Sequence, residues 1–188
     1  MRICWVITGA GHFLAETADF LSNLPETWSS KGVAADLFFT RAAAEVSARY
    51  GKTPLFEACG FSVCRENDYS SGGVIYFAGG LYDALVIAPA TANTVAKCAL
   101  GIADSLASNF FAQGGKSGVP IFILPTDGEE NIVSVTPSGR NIEIRPRPVD
   151  LARLGELSRY PGVTILRSPC EYEKILENLK AGRGSGVA

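Results

Sequence analysis

Short apolar runs alternate with longer amphipathic stretches along most of this chain. The runs with the character of buried strands span 2–8, 33–40, 62–65, 84–88, 120–124 and 163–166. The stretches with helical periodicity span 12–24, 41–50, 54–58, 104–113, 149–157 and 171–179. Continuous apolar runs are typical of strands covered on both faces of a parallel sheet, and their alternation with helices implies βαβ units. The pattern therefore predicts a three-layer α/β/α fold with a mainly parallel sheet and helices on both faces.

Residues 126–148 interrupt this alternation. Two segments of alternating polarity, 131–136 and 141–145, flank Pro137-Ser-Gly-Arg140 and predict an inserted β-hairpin. Because the hairpin follows the fifth main strand, we expect it on the carboxyl-end rim of the sheet, either as a surface excursion or as a flap or oligomer arm. Residues 1–180 are predicted to form a single domain, and the Gly- and Ser-rich stretch 181–188 a flexible tail.

The composition is that of an ordinary globular α/β protein. The chain has 188 residues, of which 47% are hydrophobic and 19% charged, enough for one domain with a full core. With a net charge of −2, the chain has no excess of positive charge of the kind that attracts nucleic acid. No apolar stretch reaches the roughly 18 residues that a membrane span needs. Met1-Arg2 leads into a strand-like run without the layout of a signal peptide, so we expect a cytoplasmic protein.

Nothing in the sequence has the spacing of a metal site. The five cysteines lie at 4, 59, 64, 98 and 170, and His12 is the single histidine. Cys59 and Cys64 are either a redox or metal-binding pair or two buried structural thiols. Since no third and fourth ligand stands at suitable spacing, we expect free thiols and no metal.

A segment suited to ligand binding begins where the apolar run 84–88 ends. The next residues, Pro89 to Thr94, alternate small apolar with hydroxyl and amide side chains, and Gly101 can close the short helix that follows. Asp104 is predicted to cap the next helix. Open α/β sheets bind ligands at the carboxyl ends of their strands. Because bulky side chains are absent here, we expect a flat cofactor with a polar edge to lie against this turn.

The turn after the first strand, Thr8-Gly-Ala-Gly-His12, is a second candidate for ligand binding. It has the first two glycines of the dinucleotide fingerprint, but Leu14 stands in place of the third and no acidic residue ends the second strand. Thr40 and Arg41 stand there instead, and a hydroxyl and a guanidinium suit a phosphate. The pattern indicates a mononucleotide phosphate site, the alternative being a tight turn without a ligand.

Three motifs taken together resemble a known family. They are Ile7-Thr-Gly-Ala-Gly11, Phe39-Thr-Arg-Ala-Ala43, and Ala88-Pro-Ala-Thr-Ala-Asn-Thr94 with Gly101-Ile-Ala-Asp104 behind it. Their order and spacing within residues 1–125 are similar to those of the flavoprotein superfamily of homo-oligomeric flavin-containing cysteine decarboxylases. The resemblance implies a Rossmann-like fold, FMN bound at a subunit interface, and self-association into trimers or multiples of trimers.

The resemblance also implies which residues hold the FMN. Its phosphate would lie against the first turn and Thr40, and its ring against the loop 90–94. The cofactor-binding residues implied are Gly9, Ala10, Gly11, His12, Thr40, Arg41, Ala90, Thr91, Ala92, Asn93 and Thr94. His12 would touch the phosphate or the flavin, or only pack, and a role in proton transfer stays open. The aromatic residues Tyr76, Phe77 and Tyr82 are candidates to cover the ring.

Two departures separate the chain from the decarboxylases of this superfamily. Ile75 stands where they have a catalytic histidine, and Asp127 stands where the asparagine of a Pro-x-Met-Asn motif grips a substrate carboxylate. An acidic group in that place would repel a carboxylate substrate. A phosphopantothenoylcysteine-type decarboxylase is therefore the less favoured interpretation.

The first turn and Leu124-Pro-Thr-Asp127 resemble instead the branch of archaeal-type flavoproteins and flavin-dependent dihydromethanopterin reductase. This resemblance implies an FMN-dependent oxidoreductase of one-carbon metabolism that reduces dihydromethanopterin to tetrahydromethanopterin. Asp127 would then be a substrate residue that bonds the amino-pyrimidine edge of the pterin. An alternative from another class is an electron-transfer flavoprotein that accepts electrons from an iron–sulfur protein. The electron donor, a protein or a flavin reductase, stays open, as does the role of any side chain as a catalyst.

Overall fold

Parallel strands form the centre of the molecule. The computed structural model describes residues 1–24, 28, 30–66, 73–129 and 131–184, with the backbone alone for 73, 74 and 180–184. The strands are β1 Arg2–Ile7, β2 Ala34–Phe39, β3 Ser62–Arg65, β4 Ala84–Ala90, β5 Ile121–Pro125, β6 Ile132–Val135, β7 Asn141–Ile144 and β8 Val163–Ile165. Six of them pair in the order β3-β2-β1-β4-β5-β8, all parallel. This is the doubly wound strand order of a Rossmann-like sheet.

Helices cover both faces of this sheet. They are α1 Leu14–Asn23, α2 Arg41–Arg49, α3 Thr53–Ala58, α4 Gly73–Ala78, α5 Ala92–Ala99, α6 Leu106–Lys116, α7 Pro148–Leu157 and α8 Tyr172–Gly184. One buried cluster joins β1 to α1 and α8, and the other joins the opposite face to α5 and α6. The predicted three-layer α/β/α fold is confirmed. Within the described residues, no helix is both long and apolar enough to cross a membrane.

The central strand β1 shows why apolar runs form strands in this protein. In β1, Ile3, Trp5 and Ile7 belong to one core cluster, while Cys4 and Val6 belong to the other. Successive side chains of a strand point to opposite faces, so a strand with helices on both sides buries side chains on both faces and is mostly apolar. The sheet is therefore encoded by continuous hydrophobicity rather than by alternation.

Several element boundaries differ from the expectations. Ser105, not Asp104, caps α6: its side chain accepts from the amide of Ser108, and the Ser108 side chain accepts from the amide of Ser105. Asp104 pairs instead with Lys97, whose Nζ lies 2.8 Å from its Oδ1. The last helix continues to Gly184, so 181–184 are helical rather than part of a flexible tail. Residues 185–188 lie outside the described residues.

The inserted segment forms a two-stranded antiparallel sheet. β6 pairs with β7, with Ile132 opposite Ile144. Ile132 and Ser134 are buried on one face of the hairpin, whereas Val133 and Val135 are exposed on the other. The Tyr50 hydroxyl, at the end of α2, donates to the carbonyl of Val135 at 3.0 Å. The hairpin therefore lies at the carboxyl edge of the sheet, as the sequence predicts.

Candidate functional site

Thr8 joins the two candidate ligand-binding turns at the carboxyl edge of β1 and β4. Its hydroxyl donates to the carbonyl of Pro89 at 2.7 Å and accepts from the amide of Thr91 at 3.0 Å. The Thr8 amide donates to the same Pro89 carbonyl at 3.2 Å. Because Thr8 is buried and uses its donor and acceptor capacity on this bridge, the first turn and the polar turn are held as one unit.

Gly9 brings the first turn against the start of α2. A Cβ on Gly9 would lie 2.5 Å from the Cβ of Ala42, so only glycine permits this approach. Thr40 caps α2 by accepting from the amide of Ala43 at 3.1 Å, and the same hydroxyl keeps a proton that it can donate. The structure thus brings together the first turn and Thr40, the two predicted phosphate ligands.

The first turn offers backbone donors. Among the described residues, the amides of Gly9, Gly11 and His12 donate to no backbone acceptor. The next residue, Phe13, precedes α1 with φ 64° and provides no side-chain cap. A bulky residue at positive φ is strained and persists only where its surroundings hold it. The turn therefore presents uncapped amides at the start of a helix, where an anion is stabilised.

Glu66, which the sequence analysis did not single out, occupies part of this region. Its Oε2 accepts from the amide of Arg41 at 2.7 Å and its Oε1 from the amide of Leu106 at 3.1 Å. The Arg41 guanidinium, by contrast, is exposed, with Nε 4.0 Å from Glu45. The separation of Glu66 from its partners, 25 and 40 residues, left no local signal in the sequence.

The polar turn 90–94 uses some of its groups within the protein. Thr91 caps α5 by accepting from the amide of Thr94, and the two hydroxyls lie 3.1 Å apart. The side chains of Ala10 and Ala90 are buried, so these two residues present only backbone to a ligand. Asn93 is exposed and Ala92 partly exposed at the start of α5. The turn therefore presents backbone and small side chains at its surface, and its binding of a flat cofactor stays a prediction.

A cavity of about 730 Å³ lies beside these turns. Its wall includes His12, Phe13, Thr126, Asn131, Arg167 and Ser168. Thr126 connects it to the polar turn, because its amide donates to the carbonyl of Ala90 at 2.9 Å. Sites for small molecules have volumes of about 300–1,000 Å³, so the cavity can hold one planar heterocycle with its substituents.

The carboxylates of Glu16 and Asp127 lie near enough to His12, a residue of the cavity wall, to act on its charge. Thr126 donates to Asp127 Oδ2 at 2.8 Å, which fixes the carboxylate. Burial lowers the pKa of His12 below its usual value, and the carboxylates of Glu16 and Asp127 offset this only in part. His12 is therefore a neutral imidazole at pH 7, with one donor and one acceptor nitrogen. Its ring packs against that of Phe13, with centroids 3.8 Å apart and the ring planes tilted by 38°.

Other sequence candidates lie away from the site. Phe77 and Tyr82 are buried in a core cluster, and the Tyr82 hydroxyl donates to Asp36 at 2.9 Å. Asp36 also binds Arg2, the first residue of β1, so this network marks the opposite edge of the sheet. Phe77 and Tyr82 do not line the cavity described above, and a role for them in covering the ring stays a prediction. Ile75, in the place of the decarboxylase histidine, is 71% exposed.

The cysteines form no cluster with the site. None of the five forms a disulfide. Cys59 is buried and its Sγ donates to the carbonyl of Phe56, while Cys64 is partly exposed, with Sγ 3.9 Å from the hydroxyl of Ser62. Within the described part of the chain, no three histidine, cysteine or carboxylate side chains gather as metal ligands do.

Comparison with known proteins supports the resemblance inferred from the motifs. The DmrB protein of Burkholderia xenovorans, solved in complex with FMN as a cubic protein cage for redox transfer, is 38% identical, with a TM-score of 0.81 and 97% of both chains covered. A dihydromethanopterin reductase (acceptor) of Methanosarcina mazei is 40% identical over 143 residues. This match covers 72% of the present chain but 59% of the reductase, so the chain spans less than two thirds of that relative.

More distant structures share the fold alone. A dodecameric FMN-dependent Ubix-like decarboxylase from Escherichia coli O157:H7 has a TM-score of 0.64 at 19% identity, with 88% of this chain and 78% of that chain covered.

The sequence model of the Flavoprotein family matches residues 1–185, which include every turn of the site described above. The chain therefore belongs to the Flavoprotein family.

Proposed function

We propose that this protein is an FMN-dependent oxidoreductase that reduces dihydromethanopterin to tetrahydromethanopterin. The observation that carries the proposal is the position of the cavity. It adjoins, through Thr126 and Ala90, the turn at which a flavin ring is expected, so a second flat ring in the cavity would lie beside the first. The identity to DmrB, 38% over 97% of both chains, supports FMN as the cofactor.

The residues of the site fit FMN. The amides of the first turn and the hydroxyl of Thr40 suit its phosphate, because they provide donors at the ends of β1 and β2. Arg41 adds an exposed positive charge near the same place. The turn from Ala90 to Thr94 has no bulky side chain, so the ring system can approach the backbone, with Asn93 available to its polar edge.

Asp127 and His12 would orient the pterin. The amino-pyrimidine edge of a pterin presents two parallel N–H donors, and a carboxylate accepts both in a paired geometry. Thr126 uses one lone pair of Asp127 Oδ2, so Oδ1 and the second lone pair of Oδ2 remain available for such a contact. Neutral His12 can donate or accept at the cavity wall without adding charge. The bound flavin supplies the electrons, and the protein positions the second ring and excludes water.

The same site disfavours the alternatives. Ile75 has no group that could act as the decarboxylase histidine does, and Asp127 repels a substrate carboxylate. An electron-transfer flavoprotein would need no cavity for a second ring beside the flavin. A cavity of about 730 Å³ next to the polar turn favours the reduction of a small molecule.

Self-association completes the proposal. We expect trimers, or multiples of trimers, with FMN at the subunit interface. Two related structures are a cubic cage and a dodecamer. In the single chain the proposed ring-binding residues Asn93 and Ala92 face outward, so a neighbouring subunit would cover the flavin from the other side.

An anaerobic mixing experiment tests the function. The full chain is loaded with FMN, reduced, and mixed with dihydromethanopterin while flavin absorbance is followed. We expect reoxidation of the flavin with formation of tetrahydromethanopterin. Reoxidation by an iron–sulfur protein but not by the pterin would support the electron-transfer alternative, and CO₂ release from a pantothenoyl cysteine would support the decarboxylase.

Replacing Asp127 tests the pterin contact. We expect Asp127→Ala to lower kcat/KM for the pterin about 10- to 100-fold, the range for a lost hydrogen bond to a charged group, with FMN still bound. Glu129→Gln is the matched control, because it removes a nearby carboxylate, one that lines the cavity, without touching the Asp127–Thr126 pair. Unchanged pterin kinetics in Asp127→Ala would contradict the assigned role.

A further inference from the structure

Two helix N-termini converge on the carboxylate of Glu66, the residue that follows β3. Its Oε2 lies 2.7 Å from the amide of Arg41 and its Oε1 lies 3.1 Å from the amide of Leu106. These are the first residues of α2 and α6, helices of nine and eleven residues. Each helix carries a partial positive charge at this end. The half-buried carboxylate therefore neutralises both helix ends at once.

This carboxylate lies beside the proposed phosphate site. α2 begins directly after Thr40, the hydroxyl proposed to bind the phosphate, and Ala42 in its first turn touches Gly9 of the other proposed phosphate-binding segment. A phosphate at this place would accept a hydrogen bond from the same Arg41 amide that already donates to Glu66. It would also carry the same sign of charge as Glu66, at short range.

We infer that Glu66 competes with the phosphate of FMN for the N-terminus of α2, and so sets how strongly the protein prefers FMN over riboflavin. The inference rests on FMN binding as proposed above. Without flavin, Glu66 keeps the two helix ends neutral. When the phosphate is bound, the contact with Arg41 weakens, while the amide of Leu106 keeps Glu66 in place at the start of α6.

Riboflavin makes this competition measurable, because it has the ring and ribityl chain of FMN but no phosphate. The full chain, freed of flavin, is titrated with each flavin while the quenching of flavin fluorescence is followed. Glu66→Gln keeps the size of the side chain and one oxygen acceptor but removes the charge. We expect the dissociation constant of FMN to fall about fivefold or more, since a like charge near the phosphate is removed. That of riboflavin should stay within about twofold of the wild type.

Glu57→Gln is the matched control. Glu57 pairs with Arg65 at 2.7 Å, on the residue before Glu66, and touches neither helix end. Removing its charge should leave the ratio of the two dissociation constants unchanged. Glu66→Asp, which keeps the charge on a shorter side chain, should retain the wild-type ratio if it folds, as judged by thermal unfolding.

The remaining outcomes overturn the inference. Equal weakening of both flavins in Glu66→Gln would make Glu66 a structural link between α2 and α6 without effect on selectivity. Weaker or unchanged FMN binding, with riboflavin unaffected, would also overturn it while leaving the proposed function intact. A wild-type chain that binds neither flavin would overturn both the proposed function and this inference.

Discussion

His12 shows how a single residue of the first turn depends on its surroundings. Burial lowers its pKa, so the folded protein binds a proton less readily than the unfolded chain. As pH falls below about 6.5, the usual value for histidine, the unfolded state takes up a proton before the folded state does. The free energy of unfolding should therefore decrease from pH 7.5 toward the lowered pKa.

Chemical denaturation of wild type and His12→Gln across this pH range checks the expectation. His12 is the single histidine, so no other side chain with an ordinary pKa titrates between pH 6 and 7. The wild type should lose stability as the solution becomes more acidic, and the variant should lose less. If the free energy of unfolding depends on pH equally in the wild type and in His12→Gln, the surroundings of His12 do not perturb its protonation.

At this scale the sequence revealed residue types but not their neighbours. The first turn and Thr40 were recognisable because glycine and hydroxyl residues follow strand-like runs. Glu66 was not, because the amides that it binds belong to α2 and α6, 25 and 40 residues away. The positive φ of Phe13 was equally hidden, since phenylalanine is not a residue that favours this conformation.

Among the elements, the hairpin β6–β7 is joined to α2 through the side chain of Tyr50. Tyr50 ends α2, and its hydroxyl donates to the carbonyl of Val135 in β6. The same hydroxyl fills the space next to Gly11, where a Cβ would collide with it. Tyr50 therefore connects α2, the first turn and the hairpin.

Removing this hydroxyl should loosen the hairpin. We expect Tyr50→Phe to cost about 0.5–1.5 kcal/mol, the usual net contribution of one hydrogen bond, and to speed amide hydrogen exchange in β6. Tyr160→Phe is a matched control, because its hydroxyl donates to the carbonyl of Ala99 at 2.8 Å, away from the hairpin. Equal exchange in β6 for both variants would show that Tyr50 does not hold the hairpin.

Element types followed from the sequence more closely than element ends. The apolar runs around β1, β2, β4 and β5 predicted buried strands, because most residues there need cover on one face or the other. The start of α6 was displaced by one residue, since Asp104 and Ser105 are both good caps. The reciprocal bonds with Ser108 decided between them.

For the whole molecule, exposed apolar side chains bear on the proposed assembly. Leu100 and Ile102, which flank Gly101 after α5, are 55% and 43% exposed. Large apolar residues next to each other on a surface are typical of contacts with another chain. We expect this surface to be buried between subunits in the proposed trimer or higher assembly.

Charged residues substituted into this surface should dissociate the assembly into smaller units. The double variant Leu100→Glu, Ile102→Glu should shift the molar mass seen by light scattering toward the monomer and weaken FMN binding, if the flavin lies between subunits. Leu81→Glu, at a leucine 38% exposed elsewhere on the surface, should retain the wild-type mass. Wild-type mass in the double variant would exclude these residues from the interface.

By itself, the sequence determined the α/β/α architecture, the family and the segments of the site. These follow from local patterns: continuous apolar runs require a sheet covered on both faces, and small residues after them permit close approach. Only the tertiary structure decided which groups meet. The bridge from Thr8 to Pro89 and Thr91, the two helix ends at Glu66, and the cavity beside Asp127 join residues distant in the chain. Such contacts depend on how helices pack on the sheet, and no local pattern records that packing.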